Sequence, residues 1–483
     1  MFNNKKIGIV GGLSTLVASL IATGAYADDT SAYQQSVDQR IQAVEQQLQA
    51  LKDQQVAQAA QAANASAPVA APIHSYAGQD GFGISSDDGQ YTLNFHALLQ
   101  ADGRFFPDGP RSQSPALNPD TFTLRRVEPS IQGNLTDLFS YNITPEYGGS
   151  PTSTVSTDMY GEFHFSPQFF NLRIGKFKEP FSLENLQSSA NLSFVERGYP
   201  TNLSPNRSLG VQAAGSLGNK QLTYALGVFN GAPDGGDAAP TEFDSHKEFV
   251  ARVFAQPWHD GSKGALDNLG FGLAGSIARE DGGAGVAGTN GLLPSYTTPG
   301  QNSFFKYATT AFADGTHTRI SPQANYYYGG FSAFAEYVLS RQAVGLVTTK
   351  PAVNVANQAG EVTLGYVLTG EDASYTGVKP LHPYSISGSG WGAFEIVARA
   401  GTLIVDKDAF TSGLAGATTA SSAVTNAQRA SSVGLGLNWY LNKNVKLVLD
   451  YEQTSFVGGA GTVAKTTDRP DEHALLLRSQ FSF

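Results

Sequence analysis

From about residue 85 to its last residue the chain alternates apolar and polar side chains with a period of two, in short segments separated by turn residues. Period two is the signature of a strand with unlike faces. In the first segment Tyr91, Leu93, Phe95, Ala97 and Leu99 take one face, while Thr92, Asn94, His96, Gln100, Asp102 and Arg104 take the other. Near the end Val433, Leu435, Leu437 and Trp439 oppose Gly434, Gly436, Asn438 and Tyr440. About sixteen such segments can be marked, an even count at membrane-spanning lengths. Four of them are Thr318 to Tyr328, Phe331 to Leu339, Glu361 to Thr369 and Lys446 to Glu452.

The connections alternate in length. Thr136-Asp137, Ser166-Pro167, Gly218-Asn219, Gly329-Gly330 and Asn442-Lys443-Asn444 are tight turns, and the intervening connections are long and polar. Outer-membrane barrels have short periplasmic turns and longer external loops. Gly370 to Gly390 is too long for its place on the short-turn side. The ending HALLLRSQFSF puts Leu475, Leu477, Ser479, Phe481 and Phe483 on one face and stops on an aromatic, like the sorting strand read by the barrel-assembly machinery. The fold class expected is an all-β transmembrane antiparallel barrel, preceded by a short helix.

Upstream of the barrel the pattern differs. Lys5 and Lys6, an apolar run from Ile7 to Ala22 and the Ala25-Tyr26-Ala27 site read as a signal peptide over 1–27. Tyr33, Val37, Ile41, Val44, Leu48 and Leu51 form a heptad seam, assigned to a periplasmic coiled-coil helix over 28–56. Residues 57–84 read as an Ala/Pro linker, and 85–483 as the barrel. A chain without Cys has no disulfide framework, and a net charge of −10 argues against nucleic acid as a partner.

If apolar residues face lipid, charged ones face the lumen, because a charge at the lipid midplane costs roughly 2–4 kcal/mol. That assigns Arg104, Arg126, Arg173, Arg252, Arg319, Arg399, Lys446 and Arg478 inward, with Glu128, Glu146, Glu162, Glu336, Glu395, Asp450 and Glu452. No catalytic signature accompanies them. GFGLAG at Gly270 falls in a strand, GAGVAG at Gly283 opens no helix, and the eight His are scattered. No enzyme, cofactor or metal site is expected.

One stretch resists the strand pattern. RIGKFKEPFSLENLQSSANLSFVERGYP from Arg173, followed by SPNRSLGV from Ser204, closely resembles the phosphate-selective porin O and P family. TLRRVEPSIQGNL, LTGED, GSGWGAFEIVAR and LGLNWYLN resemble it in the same order. The resemblance implies a homotrimer of sixteen-stranded barrels in the bacterial outer membrane, among lipid and lipopolysaccharide. It also implies a pore constricted by the third external loop, here about residues 178–208, and passive diffusion of small anions such as phosphate or polyphosphate. On the motif positions, Arg197, Arg207, Lys176 and Lys178 lie on or beside the loop, with Arg125 and Arg126 on the facing wall. The alternative is an envelope protein that docks a partner through its heptad helix and uses the barrel as an anchor or a weakly selective pore.

Overall fold

A computed structural model describes residues 30–64, 73–107, 119–149, 155–238, 244–262, 264–282, 292–347, 349–417 and 419–483. The signal-peptide segment, most of the proline-containing part of the linker and the GAGVAG stretch fall outside these residues. Two units are present, 1–71 and 72–483.

The first unit holds one helix, α1, Thr30–Asn64. It runs past the expected end of the heptad segment because Ala57 to Asn64 are Ala, Gln and Asn with no Gly or Pro, and Ala and Gln favour helix. Tyr33, Ile41, Val44, Leu48 and Leu51 are exposed along it.

The second unit is a closed antiparallel barrel. Its strands are β1 Thr92–Phe105, β2 Thr121–Asn134, β3 Phe139–Glu146, β4 Val155–Ser166, β5 Phe170–Lys178, β6 Arg207–Leu217, β7 Leu222–Phe229 and β8 Glu248–Ala255. They continue as β9 Leu269–Asp281, β10 Ala311–Tyr328, β11 Phe331–Leu346, β12 Thr349–Val367, β13 Ala393–Ile404, β14 Ala427–Tyr440, β15 Val445–Thr462 and β16 Glu472–Ser482. Each pairs with the next, and β16 closes on β1 from Leu475 opposite Phe105 to Ser482 opposite Leu98. The expected sixteen strands are therefore present.

Four strands are longer than the alternation predicts. β10 begins at Ala311, β11 ends at Leu346, β12 begins at Thr349 and β15 ends at Thr462. In these extensions the pattern inverts: Ala311, Val344, Val355 and Phe456 point into an apolar cluster. That cluster includes Tyr296, Phe304, Phe305 and Tyr307 from the β9–β10 connection, and Leu403 and Leu414 beside them. A strand that is apolar inward above the membrane does not continue the outward apolar row, so a reader of that row stops early.

The segment from Ile73 to Ser86, assigned to the linker as far as residue 84, is a β-hairpin. Ile73–Gly78 pairs with Gly81–Ser86, and the second strand pairs with β1 from Phe82 opposite Phe95 to Ser85 opposite Thr92. β1 thus gives its edge to β16 above and to the hairpin below. Phe483 sits at the junction: its backbone bonds that of Ala97 in both directions, at 3.1 and 3.2 Å, and its ring packs edge-on against Phe82. Gly81 is required there, since its φ is +96° and a Cβ would lie 2.5 Å from the Phe95 carbonyl oxygen.

The overlong connection from Gly370 to Gly390 turns back into the barrel. Ala373 and Val378 are buried with Val367, Ala393 and Tyr440. Tyr375 reaches the long loop after β5, donating its hydroxyl to the Leu183 carbonyl at 2.6 Å. The extra length spans the distance from the barrel end to that loop.

Candidate functional site

The segment between β5 and β6, residues 179–206, lies inside the barrel. Pro180, Pro200 and Pro205 exclude a regular ladder, and its short helix Leu183–Leu186 is capped by Ser182, whose hydroxyl accepts from Asn185 N at 3.1 Å. On β11 the Glu336 carboxylate accepts the Ser182 hydroxyl and the Leu183 and Glu184 N–H groups, all within 3.0–3.1 Å. These are the orphan donors of a helix N-terminus, and the wall supplies their acceptor.

The loop then runs along β13 to β16 and β1, pinned residue by residue. Gln100 donates to Ser189 O at 3.0 Å and Gln480 to Ala190 O at 2.9 Å. Lys446 donates to Leu192 O at 2.6 Å and Asn438 to Ser193 O at 2.9 Å. Arg478 reaches Val195 O at 2.6 Å, Arg399 reaches Glu196 O at 2.8 Å, and Val195 N donates to Asp450 at 2.5 Å. Loop backbone that leaves the sheet must find partners elsewhere, and these wall side chains provide them.

This answers where the inward-assigned charges went. Arg319 donates to Asp234 at 2.6 Å and to Glu248 at 2.5 Å, and Arg399 to Glu452 at 2.5 Å. Arg478 forks onto Asp102 at 2.7 and 2.8 Å. Arg252 donates to Gln323 at 3.0 Å and Arg173 to Glu162 at 2.6 Å. Their heads are already held by these partners. Parity predicts a direction and carries no information about a partner, so this was not readable from the sequence.

Exposure divides the interior into two sides. The Arg319, Arg399 and Arg478 side chains are 0%, 3% and 2% exposed, whereas those of Arg125, Arg173 and Asp158 are 28%, 30% and 24% exposed. The aromatic cluster under the β9–β10 connection fills the β10–β15 side. The β2 to β6 side carries the more exposed of these charges.

Five of the six motif cations gather at that side. Arg197 donates to Glu184 O at 3.1 Å and to Gln187 O at 2.9 Å, and Lys178 donates to the same Gln187 oxygen at 3.0 Å. Arg126 donates to the Gln100 amide oxygen at 2.9 Å, and its Nε is 3.6 Å from Glu128. Arg125 forks onto Glu196 at 2.7 and 3.1 Å, and Arg207 onto Asp158 at 3.2 Å through both nitrogens. Lys176 does not join them. It pairs with Met159 on β4 and Leu209 on β6, both exposed on the outer face, so the register puts it on the outer wall. Its place in the motif suggested the pore, and the alternation of β5, with Arg173 and Phe177 inward, overrides that.

Glu196, Glu184 and Arg197 are among the loop groups with shifted ionisation. Burial alone would raise Glu196, but Arg125, Arg478 and Arg104 outweigh it and hold the carboxyl well below its usual range. Burial raises Glu184, only partly offset by Arg399 and Arg197. Burial lowers Arg197, and Arg207 and Arg125 add like-charge repulsion against the pull of Glu184 and Glu196. Gln187 is the residue at this site that the sequence reading did not name, since it lies in the loop, where strand parity does not apply; parity put Gln100 on the polar face of β1 without giving it a partner.

A closed sixteen-stranded barrel with an external loop folded across its interior defines the class of outer-membrane porins, which are channels and not enzymes. The model of the family described as phosphate-selective porin O and P matches residues 99–483, and the chain belongs to that family. Among solved structures it is similar to the outer-membrane channel DcaP of Acinetobacter baumannii, with 13% identity, TM-score 0.49 and coverage of 83% of this chain and 99% of that one. It is also similar to OmpT of Vibrio cholerae, with 12% identity, TM-score 0.48 and coverage of 82% and 98%. An anion-selective porin from Comamonas acidovorans matches with 9% identity, TM-score 0.47 and coverage of 81% and 100%. No curated protein matches the chain significantly.

Proposed function

We propose that this porin is a homotrimeric outer-membrane channel for passive diffusion of small anions, with phosphate or polyphosphate as the fitting class, and that the inward loop is its constriction. The observation that carries the reading is the group formed by Arg126, Lys178 and Arg197. Their hydrogen bonds go to the neutral oxygens of Gln100, Gln187 and the Glu184 backbone. Most of the barrel's other inward cations are paired with carboxylates. A cation satisfied by neutral acceptors keeps its field, and Arg can fork onto a phosphate as it forks onto a carboxylate. Glu128 near Arg126 keeps the site from binding an anion too deeply to release it. Replacing Arg126 and Arg197 together by Ala and measuring reversal potentials in a salt gradient tests this. The anion preference should fall; an unchanged preference removes these residues from the site.

A second reading is favoured by the exposed row Tyr33, Ile41, Val44, Leu48 and Leu51 on α1. These residues form the seam of a coiled coil in the periplasm, either with the trimer's other copies or with an envelope partner. Deleting residues 28–72 separates the two roles: conductance should persist, and an envelope defect would mark a partner.

A further inference from the structure

The connection between β12 and β13 reaches the inward loop from the short-turn side, and its rise is held firmly. Ala373 donates its N–H to Gly329 O at 2.8 Å, and Glu371 accepts the Leu381 N–H at 3.0 Å and the Thr369 hydroxyl. Ser374 closes the apex into a tight turn. Its hydroxyl donates to Gly377 O at 2.7 Å and accepts the Thr376 N–H at 3.2 Å, and its carbonyl accepts the Gly377 N–H at 3.0 Å. Gly377 stands at φ +86°, and a Cβ there would lie 3.2 Å from Asn191 Oδ1, so the apex lies directly against the loop.

At that apex Tyr375 grips the loop at two points. Its hydroxyl donates to Leu183 O at 2.6 Å, and its own carbonyl accepts the Gln187 side-chain amide at 2.8 Å. Leu183 O also accepts the Gln187 backbone N–H at 3.3 Å, the bond that closes the short helix. The Gln187 amide donates a second time, to Asn191 O at 3.2 Å, so both of its protons are used. Side chain and N–H of Gln187 are thus fixed together, by the turn and by the helix that the turn holds.

The Gln187 carbonyl is the group this fixing aims, and two cations converge on it. Arg197 Nη2 lies 2.9 Å from that oxygen and Lys178 Nζ 3.0 Å. A carbonyl oxygen has two lone pairs, and each here holds one cation. Like charges repel, so the two stay together only while the oxygen between them keeps its aim. Arg197 has further acceptors in Glu184 O and Ser189 Oγ, whereas Lys178 makes no other hydrogen bond among the described residues. Lys178 is therefore the cation that a displaced carbonyl releases.

We propose that Tyr375 is a positioning residue of the constriction: it holds the Gln187 carbonyl on which Arg197 and Lys178 meet, and so sets how tightly the pair holds a phosphate. The inference rests on the reading of those cations as the anion site. It gives the length of the β12–β13 connection a part in ion preference. A two-residue turn ends at the barrel rim, whereas this one delivers a phenol and a carbonyl to the loop from a base fixed on the β10–β11 turn. The external loop supplies the charges, and the turn on the opposite side sets their spacing.

The test uses the full chain in a planar bilayer, with inorganic phosphate added to block the chloride current. Tyr375→Phe keeps the ring and removes the donor to Leu183 O, and Gln187→Leu removes the amide that the Tyr375 carbonyl holds. Each should raise the half-blocking phosphate concentration roughly fivefold, the size of one hydrogen bond. Conductance without phosphate reports that each variant has folded. In a Lys178→Ala background Tyr375→Phe should raise the concentration no further, because the cation it aims is gone; a merely structural role would add its full effect there, and that result overturns the proposal. An unchanged concentration in Tyr375→Phe beside a raised one in Arg126→Ala/Arg197→Ala overturns the role of Tyr375 and leaves the anion site standing. An unchanged concentration in Arg126→Ala/Arg197→Ala overturns both.

Discussion

Arg399, Arg478 and Lys446 carry the same charge as Arg126, Arg197 and Lys178, and what already holds each decides what its removal should do. The first set bonds the backbone of Leu192, Val195 and Glu196, and two of its members bond carboxylates as well. Removing Arg399 should loosen the loop and leave Glu452 unpaired, and breaking such a buried pair costs about 3–5 kcal/mol; single-channel recordings should show flicker with the ion preference kept. Glu184 and Glu196 predict opposite pH behaviour. The raised Glu184 takes up its proton above the ordinary carboxylate range, so acidification from neutral pH removes a negative charge beside Arg197 while Arg399 stays charged. Anion preference should rise as pH falls, and Glu184→Gln should start high and flatten the rise. Glu196 has the other sign. Its carboxylate stabilises the loop at all pH above the unfolded value and loses that only as pH falls through its depressed folded value, so the clamp should survive mild acid. Strand parity gives each wall charge a direction and no partner, and the motif position of Lys176 does not report the face that β5 gives it.

At the scale of elements the hairpin from Ile73 to Ser86 is the piece least visible beforehand. Its strands are six residues each and rich in Gly and Ser, so little apolar alternation marks them. Its role lies in pairing: it takes the part of the β1 edge that β16 leaves and covers Phe483. Deleting residues 73–86 should therefore lower the temperature at which the barrel unfolds, read by heat-modifiable migration, with ion preference unchanged; an unshifted transition would show that the seam closes without it. The inward loop was legible as a break in the strand pattern with three prolines. Its attachment was not, because each anchoring residue comes from a strand far away in sequence.

For the whole molecule, the even strand count, the alternating connection lengths and the aromatic ending were enough to read the barrel. They could not show that its interior is half filled. The aromatic cluster of Tyr296, Phe304, Phe305 and Tyr307 is assembled by a connection with no strand alternation of its own, and the more exposed interior charges stand on β2 to β6. A chain with a net charge of −10 can therefore present a local positive field where a solute passes. The most direct test of that claim is the reversal potential of the purified channel in a planar bilayer under a potassium chloride gradient at neutral pH. The account predicts a potential of the sign set by chloride, reduced by added phosphate and shifted toward zero in the Arg126→Ala/Arg197→Ala variant; a potential of the sign set by potassium would contradict it.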